Sequence, residues 1–295
     1  MQKTGNAPAL NLKTVIYATD FSPDSQNAGL YAARIAACFS ATLLVAHAFT
    51  LSQAAMEVES GDRLVSRQRK DLEALLARKA SLLASDAVKA VPVLLDGEPE
   101  DALLKLADLH GPSMIALGTH GGGGMKRKLI GSVAENLLES THWPALTVGP
   151  HVPLVSSKTL PFERILYVAN FTPEAANAAA FAISFTERLG ASIDVLHVIP
   201  AESGQDQEQL SDLRSRFFSA LEGMAQQHGG DFCDPKTFVE VDESHDRILK
   251  HIAERKIDLL ILGIRKASLF GLEMTGSFAF QIVVNAQCPV LTIRH

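Results

Sequence analysis

The sequence predicts an α/β protein of two tandem domains, each a five-stranded, mainly parallel open sheet with helices on both faces. Short apolar runs rich in β-branched residues alternate with segments of helical period, which is typical of a parallel sheet covered on both sides. Motifs of the first half recur in the second at a nearly constant offset. A chain of 295 residues, 47% of them hydrophobic, is large enough for two cores.

The first half contains five apolar segments that predict strands, at 14–19, 42–49, 91–95, 114–117 and 145–148. Pro92 within the third segment indicates a strand start or a sheet edge. Ser22 as N-cap and Pro23 at the first helical position predict the start of the first helix. Further helices are expected at 61–84 and 98–110. The helix at 61–84 is expected to place five leucines on one face, namely Leu72, Leu75, Leu76, Leu82 and Leu83.

An internal repeat relates the two halves. Residues 16–23 (Ile-Tyr-Ala-Thr-Asp-Phe-Ser-Pro) correspond to residues 166–173 (Leu-Tyr-Val-Ala-Asn-Phe-Thr-Pro) at an offset of 150, and His47 corresponds to His197 at the same offset. Gly118 and Gly131 correspond to Gly263 and Gly276 at an offset of 145, so a five-residue length change falls between the second and fourth strands. We predict a domain at 1–150, an extended proline-containing linker at 151–162 and a domain at 163–295.

Composition excludes several classes of protein. A net charge of −6 argues against a nucleic-acid binder, which needs a basic face. The three cysteines form no Cys-x-x-Cys pair, so neither a disulfide framework nor a zinc site is indicated. The chain has no apolar run of about 18 residues and no apolar leader segment. We therefore expect a cytoplasmic protein with no membrane partner.

One glycine-rich segment, at 115–132, predicts a site for an anion. An apolar strand leads into a loop that contains Gly118 and four consecutive glycines from Gly121, and Gly131-Ser132 then begins a helix. Glycines allow close approach of backbone N–H groups to a ligand, and the first amides of a helix attract negative charge. The alternative is a flexible glycine hairpin with a solvated basic run. The spacing fits neither a P-loop nor a dinucleotide fingerprint.

The spacing Gly118-x2-Gly121-x9-Gly131-Ser132 resembles that of the universal stress protein family. The resemblance covers nearly the whole chain twice, as expected of a tandem two-domain member, and it implies a Rossmann-like fold of the adenine-nucleotide-binding type. In this family the glycine pattern marks members that bind ATP. We therefore expect this chain to bind ATP, together with Mg2+, which offsets the charge of the phosphates. The implied nucleotide contacts are Ala18, Thr19, Asp20, Ala48, Gly118, His120, Gly121, Gly131, Ser132 and Val133.

Two polar residues in the first half have competing interpretations. The resemblance implies that the Asp20 carboxylate holds the adenosine portion of ATP, and the alternative is a carboxylate that caps the following helix. His47 lies within an apolar strand and is interpreted as a hydrogen-bonded core residue. We assign no catalytic residue and no metal ligand from the protein.

The second half keeps the glycine frame but not all of its residues. Lys266 replaces the second glycine of the motif and Asn170 replaces Asp20. The lysine side chain would occupy space that phosphate needs, and the asparagine removes a carboxylate acceptor. We expect this half to bind ATP weakly or not at all. In the alternative, Lys266 turns outward and pairs with a phosphate.

The resemblance implies a stress-response sensor or regulator that binds ATP in its N-terminal domain and acts on a regulatory protein not identified by the sequence. One alternative is a slow ATPase or self-phosphorylating protein, although no positioned general base is evident. Another is an interaction protein that works without nucleotide. Family members dimerise through their fifth strands, so we expect 145–148 and 290–294 to dock the two domains within one chain. A homodimer of whole chains is left open.

Overall fold

The computed structural model divides the chain into a first unit, Leu12–Pro150, and a second unit that contains His151–His295. The residues that it describes are 10–50, 61–119, 130–155, 162–169, 175–199, 236–241, 244–264 and 276–294, together with 211, 212, 215 and 219. No helix in these ranges combines the length and the apolarity needed to cross a membrane.

The first unit is an open parallel sheet with strand order β3-β2-β1-β4-β5. Its strands are β1 (Thr14–Ala18), β2 (Thr42–Phe49), β3 (Ala90–Asp96), β4 (Ser113–Gly118) and β5 (Ala145–Val148). Its helices are α1 (Pro23–Phe39), α2 (Gly61–Leu83), α3 (Pro99–His110) and α4 (Ser132–Ser140). The predicted α/β fold is confirmed. Among the described strands β3 pairs with β2 alone, so Pro92 lies on an edge strand, where its missing N–H is tolerated.

The position of β1 creates a crevice in the first unit. β1 pairs with β2 on one side and with β4 on the other. The connections that follow β1 and β4 therefore run toward opposite edges of the sheet. Such a switch in strand order leaves an opening at the carboxyl ends of the strands, where open α/β sheets bind ligands. The loops that follow β1 and β4 therefore lie around one potential site.

The expected burial of α2 was partly wrong. Leu76 and Ala80 are buried, with Leu76 1% exposed, but Leu75 is 49% exposed and Leu82 is 77% exposed. Leu75 directly precedes the better buried Leu76, and Leu82 directly precedes the better buried Leu83. Successive residues of an α-helix lie about 100° apart around its axis, so Leu75 and Leu82 point away from the buried side. The stripe that the sheet covers is narrower than the leucine pattern suggested, because a surface helix buries only one side.

The second unit has the same architecture, with strand order β8-β7-β6-β9-β10 and parallel pairing throughout its described strands. The strands are β6 (Arg164–Val168), β7 (Ser192–Ile199), β8 (Lys236–Val241), β9 (Leu259–Ile264) and β10 (Val290–Arg294). The helices with described bounds are α5 (Ala175–Leu189), α6 (Ser244–Arg255) and α7 (Gly276–Asn285). The repeat inferred from the sequence is therefore a repeat of folded structure.

A buried charged cluster distinguishes the second unit from the first. Asp194 on β7 and His251 on α6 are both buried, and Arg255 Nε donates to Asp194 Oδ2 at 2.9 Å. His251 Nδ1 lies 3.5 Å from Glu240 Oε1, and the buried Nε2 of His251 has no hydrogen-bond partner in the described part of the chain. Burial lowers the pKa of His251, although the negative charge of Asp194 opposes this.

The repeat offsets place leucines at the corresponding positions of the first unit. Leu44 corresponds to Asp194, and Leu106 corresponds to His251. Both leucines are buried in the core. The two units therefore share a fold but differ in the side chains between the sheet and one helix. Leucines lie at α3 in the first unit, whereas charged side chains lie at α6 in the second.

Candidate functional site

A crevice opens at the carboxyl ends of β1, β2 and β4 in the first unit. The crevice and its open, solvent-filled mouth together contain about 730 Å³ of empty space. Its walls come from three strand ends and from the starts of α1, α3 and α4. The lining residues are Ala18, Thr19, Asp20, Ser25, Ala46, His47, Ala48, Pro99, Leu103, Leu117, Gly118, Thr119, Gly131, Ser132, Val133 and Ala134.

Eight of the ten sequence-predicted contact residues lie together in this crevice. They are Ala18, Thr19, Asp20, Ala48, Gly118, Gly131, Ser132 and Val133. His120 and Gly121 lie outside the described residues, as do Asn170 and Lys266 in the second unit. The described part of the second unit contains Gly263 in β9 and Gly276 at the start of α7. Ligand binding by these residues stays a prediction.

The two ends of the crevice differ in chemistry. Beside β2 and α3 the wall is mainly apolar, formed by Ala46, Ala48, Pro99 and Leu103 together with the ring of His47. Beside β4 and α4 the wall is formed by glycines and by the first residues of a helix. The arrangement suits an elongated ligand with a flat apolar group at one end and an anion at the other.

The start of α4 provides the anion-binding end. Its N-cap is Gly131, which has no side chain to bond the first amides of the helix. The Gly131 N–H donates to Thr119 O at 2.7 Å and its carbonyl accepts from Glu135 N at 2.9 Å, so the donors left for a ligand are those of the first helical residues. Ser132 and Val133 line the crevice, and the helix dipole favours negative charge there by about 0.3–1 kcal/mol.

Asp20 lies at the mouth of the crevice on an exposed turn. Its Oδ1 accepts two hydrogen bonds from Ser22, from the backbone N at 3.0 Å and from Oγ at 2.6 Å. The N-cap of α1 is Ser22, whose Oγ accepts from Ser25 N at 3.2 Å. Ser22 is therefore the N-cap of α1, and Asp20 bonds this cap residue through both its backbone amide and its hydroxyl.

A hydroxyl network beneath Asp20 was not found from the sequence. Tyr17 Oη donates to Ser25 O at 2.8 Å and lies 3.2 Å from Thr19 Oγ1, while Thr19 Oγ1 and Ser25 Oγ share a hydrogen bond at 3.1 Å. Burial raises the pKa of Tyr17. The network ties the end of β1 to the first turn of α1. Ser25 follows the N-cap by three residues, and this spacing was the one available signal for its position.

His47 is hydrogen-bonded, as expected, but it lines the crevice and is only half-buried. Its Nδ1 lies 2.7 Å from Thr19 O, and its ring centroid lies 4.6 Å from that of Phe21. A carbonyl oxygen only accepts, so Nδ1 carries the proton of this bond. His197 makes the matching bond in the second unit, at 2.9 Å from Ala169 O. Burial lowers the pKa of His197.

Two further features beside Asp20 were missed by sequence reasoning. Phe21 has a left-handed backbone with φ of 63°, which is rare for a bulky residue. Lys79 of α2 donates from Nζ to Tyr17 Oη at 3.5 Å and lies 6.0 Å from the Phe21 ring centroid. Burial lowers the pKa of Lys79, and the negative charge of Asp20 opposes this. Both features depend on tertiary packing, which local sequence patterns do not reveal.

The family model of the universal stress protein family matches residues 11–149 and matches again at 161–294. The chain belongs to the universal stress protein family. It is a tandem member, since each of the two structural units corresponds to one match of the model. The resemblance seen in the glycine spacing is therefore confirmed, and it extends over both halves.

Known relatives agree with this assignment. Universal stress protein MJ0531 of Methanocaldococcus jannaschii is 29% identical over 138 residues, which are 46% of this chain and 81% of the relative. The crystal structure of a universal stress protein from Archaeoglobus fulgidus DSM 4304 covers 95% of this chain and 98% of its own, with 20% identity and a TM-score of 0.73. That likeness shows the fold of the full tandem chain.

A universal stress protein solved in complex with cAMP is similar to part of this chain. It is 26% identical and covers 47% of this chain and 97% of its own, with a TM-score of 0.36. The bound cAMP is a property of that relative.

Proposed function

We propose that the first unit binds an adenine nucleotide, ATP with Mg2+, and that the protein acts as a nucleotide-dependent stress sensor or regulator. The observation that carries this proposal is that one crevice joins an apolar wall, an exposed carboxylate and an uncapped helix start. These match the base, the ribose hydroxyls and the phosphates in that order. Gly118 and Gly131 line the same crevice, and they belong to the glycine frame that marks ATP-binding members of the family.

The end of the crevice proposed for the adenine base lies where β2 extends beyond the end of β1. β1 ends at Ala18, which is in register with Ala46, and Thr19 N donates to Ala46 O at 2.9 Å. Backbone groups alternate in direction along a strand, so those of Ala48 face the same side as those of Ala46. No residue of β1 is in register with Ala48. Its backbone is therefore suited to hydrogen-bond the edge of an adenine that packs between Ala48 and Leu103.

The end of the crevice proposed for the phosphates is formed by the first residues of α4. The amides of Ser132 and Val133 and the Ser132 hydroxyl are donors that suit phosphate oxygens. Mg2+ enters with the nucleotide, because it prefers phosphate oxygens and retains several waters. Asp20 supplies a carboxylate acceptor for a ribose hydroxyl. These residues bind and orient a nucleotide, and we assign them no hydrolytic step.

We extend the proposal to the rest of the protein. The second unit binds ATP weakly or not at all, because Asn170 and Lys266 replace the carboxylate and the second glycine. The two domains dock within the chain through 145–148 and 290–294, and the protein works in the cytoplasm on a regulatory protein partner. The docking and the protein partner follow from the family resemblance, and the location follows from the sequence features given above.

Calorimetric titration of the full-length protein with Mg-ATP tests the proposal. We expect one site per chain, lost in Gly131→Ala and kept in Gly276→Ala. Gly131 has φ of −69°, which alanine adopts without strain, so the loss would come from a methyl group placed in the crevice. Two sites would contradict the degenerate second unit. No binding, after removal of any co-purified nucleotide, would favour an interaction protein that works without ATP.

A further inference from the structure

We propose that Ser22 is a positioning residue that holds the Asp20 carboxylate ready for the nucleotide, in addition to capping α1. The inference rests on the proposed nucleotide site of the first unit. One hydroxyl makes both contacts: Ser22 Oγ donates to Asp20 Oδ1 at 2.6 Å and accepts from Ser25 N at 3.2 Å. The Ser22 backbone N donates to the same Oδ1 at 3.0 Å.

The chemistry of these groups fixes the direction of both bonds. An ionised carboxylate only accepts and a backbone amide only donates, whereas a hydroxyl does both. The single proton of Ser22 Oγ is therefore committed to Asp20, and one of its lone pairs is committed to Ser25. Ser22 is buried whereas Asp20 is exposed. A buried residue thus holds one carboxylate oxygen of an exposed side chain in a defined position.

The backbone around Asp20 is shaped for this contact. Phe21 adopts φ of 63°, and its N–H donates to Thr19 Oγ1 at 3.1 Å while its ring packs on His47. This left-handed residue turns the chain so that Ser22 reaches back to Asp20. A rare conformation held by specific contacts is typical of pre-organised sites. The turn fixes the backbone of Asp20, and Ser22 fixes its carboxylate.

The function of the contact is to reduce the ordering that binding requires. Immobilising a side chain on binding costs enough free energy to change affinity by about threefold to tenfold. Asp20 would meet the ligand already oriented, with Oδ1 held by Ser22 and the carboxylate directed by that bond. Loss of the Ser22 hydroxyl should therefore weaken nucleotide binding without direct contact between Ser22 and the nucleotide.

Two substitutions in the full-length protein separate positioning from helix capping. Ser22→Gly removes the hydroxyl without adding charge, and glycine at an N-cap costs the helix little. Ser22→Thr keeps a hydroxyl that both donates and accepts. We expect Mg-ATP affinity to fall about threefold to tenfold in Ser22→Gly and to stay near wild type in Ser22→Thr. Thermal unfolding of both variants should stay close to wild type.

The effect of Ser22→Gly on affinity is also measured in the Asp20→Ala protein. If Ser22 acts through Asp20, Ser22→Gly causes no further loss of affinity in the Asp20→Ala protein. Thr172→Gly at the corresponding position of the second half is a matched control that should leave affinity unchanged. Unchanged affinity in Ser22→Gly, or an equal loss with and without Asp20, would overturn the role of Ser22 alone. Failure of wild-type protein to bind Mg-ATP would overturn the nucleotide site itself.

Discussion

Replacing Gly29 by alanine tests how tightly the base of the crevice is built. Gly29 lies within α1, where alanine normally favours the helix by about 1 kcal/mol over glycine. A Cβ on Gly29 would lie 2.6 Å from Tyr17 Cε1 and 2.7 Å from Cζ. Ordinary contacts at such a position are 3.4–4 Å, so the ring or the helix must move. The structure therefore predicts that a normally stabilising substitution destabilises the first unit.

The size of the effect follows from what holds the ring. Tyr17 is fully buried, and its hydroxyl is bound to Ser25 O and lies close to Thr19 Oγ1, so it cannot yield without loss of these contacts. Overpacking a core costs about 1–3 kcal/mol. The helix-propensity gain of about 1 kcal/mol offsets part of this cost, so we expect a net loss of up to about 2 kcal/mol. For a unit of this size that corresponds to a fall in melting temperature of up to about 6 °C.

The second unit supplies a natural comparison. At the same repeat positions it has Ala179 for Gly29, Ala169 for Thr19 and Ala175 for Ser25, while Tyr167 is retained. A tyrosine ring without the serine and threonine hydroxyls therefore coexists with alanine on the helix. This comparison indicates that Gly29 is required because the hydroxyl network holds Tyr17 in place.

Thermal or urea unfolding of full-length Gly29→Ala, followed by circular dichroism, measures the effect. In a Tyr17→Phe background the ring is released from Ser25, so Gly29→Ala should cost less than it does in the wild-type protein. Ala179→Gly is the comparison variant in the second unit. Because Ala179 is buried, it should lower stability by about 1 kcal/mol of helix propensity and by a further ~1 kcal/mol for the lost burial of its methyl group. An increase in stability for Gly29→Ala in the wild-type background would refute the reasoning.

Three further predictions concern the site, the charged cluster and α2. Asp20→Ala should weaken Mg-ATP binding by about tenfold or more in calorimetry. His251 has a lowered pKa when folded, so the unfolded chain binds the proton more tightly. Its contribution to stability is complete above the unfolded pKa of about 6.5 and is lost as the pH falls below it. The slope of stability against pH should flatten in His251→Gln. Leu76→Ala should cost about 2–4 kcal/mol in urea unfolding, whereas Leu82→Ala, at an exposed position, should change stability by less than about 0.5 kcal/mol.

The fold could be predicted because two independent signals agreed on it. Strand and helix periods gave the elements, and the internal repeat gave the number of domains. The bounds of β2 (Thr42–Phe49) and β5 (Ala145–Val148) match the prediction residue for residue. The burial of α2 was not predicted correctly, because a leucine pattern does not show how much of a helix its neighbours cover.

The candidate site was predictable where strand order alone places residues. Asp20 follows β1 and Gly118 ends β4, and parallel strands bring such positions to one edge of the sheet. Ser25, Phe21 and Lys79 were missed, because their roles depend on a left-handed turn and on a helix distant in sequence. The charged cluster of the second unit was missed for a related reason, since the sequence does not show that Asp194 is buried.

A hydrogen bond between a histidine ring and a backbone carbonyl recurs in both units. It separates sequence features that belong to the fold from those that belong to the ligand site. His47 binds Thr19 O and His197 binds Ala169 O, although the halves differ at Asp20 and at the second glycine of the motif. The bond joins the ends of two adjacent strands whether or not the acidic residue is present. In this duplicated chain, a histidine at this position therefore belongs to the fold of each copy and gives no information on which copy has a ligand. Ligand specialisation after duplication has to be sought at the position of Asp20 and in the glycine frame.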